Sequence, residues 1–236
     1  MDVNFQELGL KKGYLYEILA TTFSIKRNEL IPNTSCMGIR IRNNNEISIE
    51  PYPNTNTYKN LKENSLICIN FVESIFLYAL AALKGLQLSE KFRIFPIEYY
   101  SYYDIREDNK PLGKIPYINQ AWASLFCEIK KESQLTRKDI FGKINLSEFI
   151  LNILSLVKIK ESYKLFNRAE NLTLETLVLT TRLKIAFEKH NRNLITDFQS
   201  KIEDNIMNIR RFGKNQDALK AIELIEEYIR KLKSSI

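Results

Sequence analysis

Hydroxyl and amide side chains crowd two short stretches of this chain, one a strand of small residues and the other a loop whose chemistry suits an anion. The first is Asn33-Thr34-Ser35-Cys36-Met37-Gly38, a run of small residues ending in the amino acid that lets another group come closest to the backbone. The second runs from Pro51 to Asn60 and carries Asn54, Thr55, Thr57, Lys59 and Asn60. Short hydroxyls and amides on a turn, with backbone N–H groups facing outward, form an anion site. Thr55 and Thr57 offer O–H donors to phosphate oxygens, and Lys59 adds a positive charge. Asn and Thr are also ordinary turn residues, and Ser35 to Gly38 also reads as a tight barrel strand. On residue types alone both readings stand.

Other reactive groups give weaker signals, and no catalytic residue is assigned. The single histidine, His190, lies in Lys-His-Asn-Arg with no second ligand near it in sequence, which reads as a solvated helix end and not a metal site. Cys36, Cys68 and Cys127 are odd in number and lack C-x-x-C spacing, so neither a disulfide framework nor zinc is expected. Glu175 and Arg182 are seven apart on a helical pattern, two turns, and share a face. They form either a buried ion pair, since buried charges survive mainly when paired, or part of a pocket wall. Trp122 either stacks on a bound ring or fills the core.

Composition narrows the class. The chain is 44% hydrophobic and 27% charged, which fits a globular protein and not a disordered one. No apolar run reaches membrane-spanning length, and the opening Met1-Asp2-Val3-Asn4-Phe5 is unlike a secretory signal. A cytoplasmic location with no membrane partner is the expectation. Residues 1–130 hold 15 Lys+Arg against 14 Asp+Glu, and 131–236 hold 20 against 14, so the formal charge of +7 is mostly C-terminal. Acids interleave with those bases, whereas nucleic-acid readers concentrate charge in a stripe with aromatics. A solvated face is favoured over nucleic-acid binding.

The elements that must position these residues fall into two periods. Strands are expected at 14–23, 35–41, 46–50, 65–70 and 121–129, with a turn over Ser24 to Asn33, a hairpin around Asn43-Asn44-Asn45, and an extended aromatic stretch from Phe92 to Tyr103. A helix over Val72 to Leu83, ended by Gly85, interrupts them. Leu146 to Val157 reads as an apolar helix. Leu172, Thr176, Leu179, Leu183 and Ala186 then mark one helical face, as do Leu219, Ile222, Ile225, Ile229 and Leu232. Glu227 and Lys231 sit four apart in the favourable order. The change of period sets a boundary near 130–145, giving domains 1–135 and 136–236 in an α+β chain.

The order of these segments resembles an archaeal domain-of-unknown-function family related to the flavin-reductase-like FMN-binding split barrels. The resemblance rests on Glu17-Ile18-Leu19-Ala20-Thr21-Thr22, Pro32 to Ile39, Pro51-Tyr52 through Thr57 to Asn64, Ile69-Asn70, Asn167-Arg168-Ala169-Glu170 and Glu175 to Leu183. It spans about residues 14 to 187. It implies an N-terminal split β-barrel, a C-terminal helical segment, and FMN held at a homodimer interface. Asn33, Thr34, Ser35, Cys36, Met37 and Gly38 would line the flavin ring, and Asn54, Thr55, Thr57, Lys59 and Asn60 would hold its phosphate. The aromatic stretch Phe92 to Tyr103 offers a surface for the second subunit. The implied activity is a flavin-dependent oxidoreductase with a reduced donor such as a nicotinamide. A non-catalytic flavin carrier or partner-binding module is the alternative, and a deazaflavin is the alternative cofactor.

Overall fold

Tyr, Ile, Thr and Phe favour strands in the N-terminal part of the chain, since branched and aromatic side chains suit a pleated surface. The computed structural model describes residues 4–13, 15–85, 94–107, 110–139, 142–162, 167–212 and 215–234. Eight strands are present among them: β1 Leu15–Lys26, β2 Glu29–Asn43, β3 Glu46–Ile49, β4 Leu66–Phe71, β5 Tyr100–Glu107, β6 Lys110–Ile118, β7 Ala123–Asp139 and β8 Gly142–Lys158. Six close an antiparallel barrel in the order β1-β2-β3-β8-β7-β4, and β5 and β6 form a separate hairpin. Helix α1, Asn56–Asn64, sits between β3 and β4.

The barrel interior is packed with branched residues from every strand: Ile18, Ile39, Ile41, Ile47, Ile49, Ile67, Ile69, Leu125, Phe149, Leu151 and Ile153. Leu61 of α1 and Phe5, Leu8 and Leu10 of the N-terminal segment join the same core. A second cluster lies outside, where Phe23, Cys68 and Phe126 are covered by Ile105 and Ile115 of the β5–β6 hairpin. Tyr103 stacks on Phe126 with ring centroids 4.3 Å apart.

Three sequence expectations change. The apolar helix over Leu146 to Val157 is strand β8, paired with β7 along its full length and with β3 at Phe149 to Asn152. Both of its faces are apolar because Phe149, Leu151 and Ile153 fill the barrel while Leu154 and Val157 pack in the outer cluster. The turn over Ser24 to Asn33 shrinks to Arg27-Asn28, and β1 and β2 pair up to Lys26 and Glu29. The loop Pro51 to Asn60 is half helix, α1 starting at Asn56 behind Thr55. Phe92 and Arg93 lie outside the described residues; the described part of the stretch includes a short 3-10 turn over Ile97–Tyr99 before β5.

The helices other than α1 belong to a second compact unit of residues 73–96 and 163–236, the barrel unit being 1–72 and 97–162. A boundary near 130–145 would therefore cut the β7–β8 hairpin. The helical unit holds α2 Ile75–Ala82, α3 Arg168–Glu188, α4 Arg192–Phe212 and α5 Gln216–Ser234. On α3, Thr176, Leu179, Leu183 and Ala186 are buried, and on α5, Ile222, Ile225 and Leu232. Glu227 and Lys231 pair at 2.9 Å, as their spacing predicts. Asn167 caps α3, accepting from the N–H groups of Ala169 and Glu170. No helix among the described residues is long and apolar enough to cross a membrane.

Arg27 and Asn28 both adopt left-handed backbone, φ 51° and 63°, as a two-residue hairpin turn of the primed type demands. A side chain such as arginine pays for that conformation. Arg27→Gly is expected to raise stability by about 1 kcal/mol, read as a higher urea midpoint at unchanged slope.

Candidate functional site

The two segments singled out in the sequence meet beside β2. Directly paired residues of antiparallel strands share a face, so the pairs Thr22–Asn33, Ala20–Ser35 and Ile18–Met37 turn inward, because Ile18 and Ala20 belong to the barrel core. Thr34, Cys36 and Gly38 alternate to the outer face. The six residues therefore act in two groups.

The inner group ties β2 to α1. Thr57, fully buried, donates to Ser35 Oγ at 3.0 Å and accepts from Asn33 Nδ2 at 3.2 Å. Asn60 Nδ2 donates to Thr22 Oγ1 at 3.1 Å. Met37 packs against the barrel core. These contacts set the first turn of α1 against the strand. Thr55 is its N-cap, accepting from the N–H of Tyr58 at 3.2 Å and donating to the Tyr52 carbonyl at 2.7 Å. The N–H groups of Asn56 and Thr57 precede any intrahelical acceptor and point out of the helix start. Asn54, Asn56 and Lys59 are exposed around it. A helix start with its positive dipole end, a lysine and two amides makes an anion cradle.

The outer group is defined by a strand edge. With a two-residue turn, Lys26 and Glu29 form the first hydrogen-bonded pair, and alternation then sends the backbone groups of Ile31, Asn33, Ser35 and Met37 toward β1. Those of Thr34, Cys36, Gly38 and Arg40 point the other way. Strand β3 takes up that edge only from Arg40, opposite Ser48. Pro32, which lacks an N–H, falls on the edge-facing set, where it costs no ladder bond. Gly38 has a second reason besides access: a Cβ there would lie 2.8 Å from Leu15 Cδ1.

Sequence reasoning missed the polar circuit behind this edge. Asn70, wholly buried, donates to Thr21 Oγ1 at 3.0 Å and to the Leu19 carbonyl at 2.9 Å, and accepts from the Ile118 N–H at 2.8 Å. Thr21 and Thr34 hydroxyls lie 3.0 Å apart, and Thr34 Oγ1 lies 2.8 Å from the Tyr100 hydroxyl. Thr and Asn inside strand patterns were the available signal.

Other candidates take structural places. Glu175 and Arg182 are exposed on α3, so the buried ion pair is not formed. Trp122 is half-buried, tilted against Phe71 at 5.3 Å. His190 is exposed between α3 and α4. Cys68 and Cys127 are buried free thiols whose burial pushes their pKa up, and Cys36 is half-buried. Among the described residues, no three His, Cys, Asp or Glu side chains gather as metal ligands.

Helix α1 is also anchored from β7. Glu132 accepts from Lys62 at 2.6 Å, from Ser147 at 2.8 Å and from Tyr58 at 3.2 Å. The Lys62 contact, chiefly, holds the Glu132 carboxyl below its ordinary range. A depressed folded value adds stability above the unfolded carboxylate range, lost as pH falls through the folded value. Acid unfolding of Glu132→Gln should show a flatter dependence on pH below the ordinary carboxylate range than the parent. For the inner group, Thr57→Val strands the partners of its hydroxyl and should cost about 1–3 kcal/mol in urea denaturation.

Family models for proteins of unknown function DUF447 match the chain twice, the N-terminal domain over residues 16–138 and the C-terminal domain over 167–227. No curated protein matches it in sequence. An FMN-bound DUF447 protein from Methanosarcina mazei is similar in fold, with 19% identity, 95% of this chain and 99% of that one covered, and a TM-score of 0.62. Shorter likenesses include flavoredoxin from Methanosarcina acetivorans, at 15% identity, 65% and 73% coverage and a TM-score of 0.41. The styrene monooxygenase flavin reductase from Pseudomonas putida matches at 8% identity, 66% and 87% coverage, and 0.41.

Proposed function

Because the chain belongs to the DUF447 family, we propose that it is an FMN-binding split-barrel protein and a flavin-dependent oxidoreductase of the flavin-reductase type. The observation that carries the cofactor is the meeting of a strand edge and a helix start, joined by Thr57 to Ser35 and Asn33. FMN has a flat ring with a polar rim and a phosphate at the far end of its chain, and the two features suit those two ends. The FMN-bound relative shares the architecture over 95% of this chain, which supports the assignment.

When bound, the flavin supplies the electron transfer, and the protein supplies binding and orientation. Thr34, Cys36 and Gly38, on the outer face of β2, would line the ring. Asn54, Thr55 and Lys59, with the N–H groups of Asn56 and Thr57, receive the phosphate. The side chains of Thr57 and Asn60 hold that first turn in place from its buried side, and Asn33, Ser35 and Met37 hold the strand. Thr34 fixes the strand from its outer face. A reduced nicotinamide is the proposed donor.

A homodimer completes the reading, since Ile97 and Tyr102 are 69% and 44% exposed and offer apolar area to a second copy.

The test is to mix the protein with FMN, desalt it, record the visible spectrum, and weigh the eluted species by light scattering. Retained flavin on a dimer is the expected result. Lys59→Glu, at an exposed position, should weaken retention about three- to tenfold while Glu63→Gln leaves it unchanged. Anaerobic addition of NADH or NADPH should bleach the retained flavin band. Wild type that keeps no flavin removes the cofactor assignment, and flavin that no nicotinamide bleaches removes the donor.

A further inference from the structure

One residue of the phosphate loop also reaches the strand assigned to the ring. Thr57 is the second residue of α1, behind the N-cap Thr55. Its N–H comes before the first intrahelical acceptor and is one of the two groups offered to the phosphate. Its side chain is fully buried. There the hydroxyl donates to Ser35 Oγ at 3.0 Å and accepts from Asn33 Nδ2 at 3.2 Å. A hydroxyl has a single proton, and Thr57 spends it on Ser35. None is left for a phosphate oxygen.

The two bonds belong to a closed circuit. Asn33 Nδ2 also reaches Thr22 Oγ1 at 3.4 Å, and Asn60 Nδ2 donates to the same oxygen at 3.1 Å. Thr57, Asn33, Thr22 and Asn60 therefore tie α1 to β2 and to β1 through side chains alone. Asn33 and Ser35 flank Thr34, and side chains alternate along a strand. Fixing this inward pair fixes where Thr34 and Cys36 stand on the outer face.

We propose that Thr57 is a positioning residue that sets the span between the phosphate and the ring, its N–H meeting the phosphate while its hydroxyl holds β2. The Thr57 side chain is then no phosphate ligand. This rests on the FMN reading above and deepens it, since the site becomes one built for flavins that carry a phosphate at a fixed reach. Riboflavin has the same ring and no phosphate, so it separates the two roles. Loss of a phosphate ligand leaves riboflavin untouched, whereas loss of a tie to β2 reaches its ring.

The experiment titrates wild type, Thr57→Val, Thr57→Ser and Tyr58→Phe with FMN and with riboflavin, reading affinity and the visible circular dichroism of the bound ring. Urea unfolding selects conditions in which all four proteins are folded. Thr57→Val keeps the N–H and loses both side-chain bonds, and Thr57→Ser keeps the hydroxyl. Tyr58→Phe cuts a bond from α1 to Glu132 on β7 and touches nothing on β2. The expected result is that Thr57→Val alters the dichroism of bound FMN and weakens FMN and riboflavin alike, each about three- to tenfold. Thr57→Ser should restore the wild-type values, and Tyr58→Phe should leave the ring signals unchanged. A Thr57→Val protein that loses affinity for FMN only, with its ring dichroism intact, overturns the proposal, because the hydroxyl then serves the phosphate. Flavin signals in Thr57→Val identical to wild type overturn it as well. So do equal changes in Thr57→Val and Tyr58→Phe, since general loosening of α1 accounts for them. Wild type that binds no FMN overturns the parent reading together with this one, an outcome distinct from the others.

Discussion

Strand β2 has a full partner on one side and a partial one on the other, and the rest of the barrel unit is arranged around that asymmetry. A strand edge carries donors and acceptors that must be met by something. From Glu29 to Arg40, β1 satisfies half of them. From Arg40 onward β3 pairs on the other side, at Pro32 there is no donor to satisfy, and between them the Thr34 hydroxyl meets that of Tyr100. The hairpin of β5 and β6 is pressed onto the barrel by Tyr103 on Phe126 and by the Asn70 bonds, so the tyrosine is delivered by a rigid element.

That arrangement explains why buried polar residues are common in a barrel this small. Thr21, Thr22, Thr34, Thr57, Asn70 and Ser124 are fully buried; some of their bonds join strands already paired, as Thr21 to Thr34 and Ser124 to Asn70 do, and others reach elements that the barrel ladder leaves separate. Thr22 and Thr57 bind α1 to the hairpin of β1 and β2; Thr21 and Asn70 bind β4 to the outer hairpin. Among the described residues no buried side-chain nitrogen or oxygen lacks a partner. A network satisfied at every member favours one arrangement of the core over its competitors.

Much of this was legible in the sequence, and the failures have physical causes. Branched and aromatic residues marked β1, β3 and β4, and apolar stripes marked α3 and α5. Strand β8 was read as a helix because alternation vanishes when both faces of a strand are buried, and Leu154 and Val157 are apolar for the sake of a hairpin distant in sequence. The bulges near Cys127 and Lys131 shift the register of its partner and blur the pattern further. The segment Asn33 to Gly38 was visible as a unit, but its division into two faces depends on register, which the Arg27-Asn28 turn sets and which no composition reveals. Tyr100 was counted among aromatics suited to a subunit surface; its bond to Thr34 spans 66 positions.

The stretch of β2 from Pro32 to Gly38 pairs through its backbone with β1 alone among the described strands, and this bears on how the chain can change over generations. A side chain that makes a contact can be lost in one nucleotide change, whereas a main-chain amide survives replacement of its residue by any amino acid except proline. Selection then guards the path of the strand and the residues that bend or pin it, and leaves the identities along the edge free to drift. An architecture guarded this way can persist while its alphabet turns over, and a fold shared across 95% of this chain at 19% identity agrees with that.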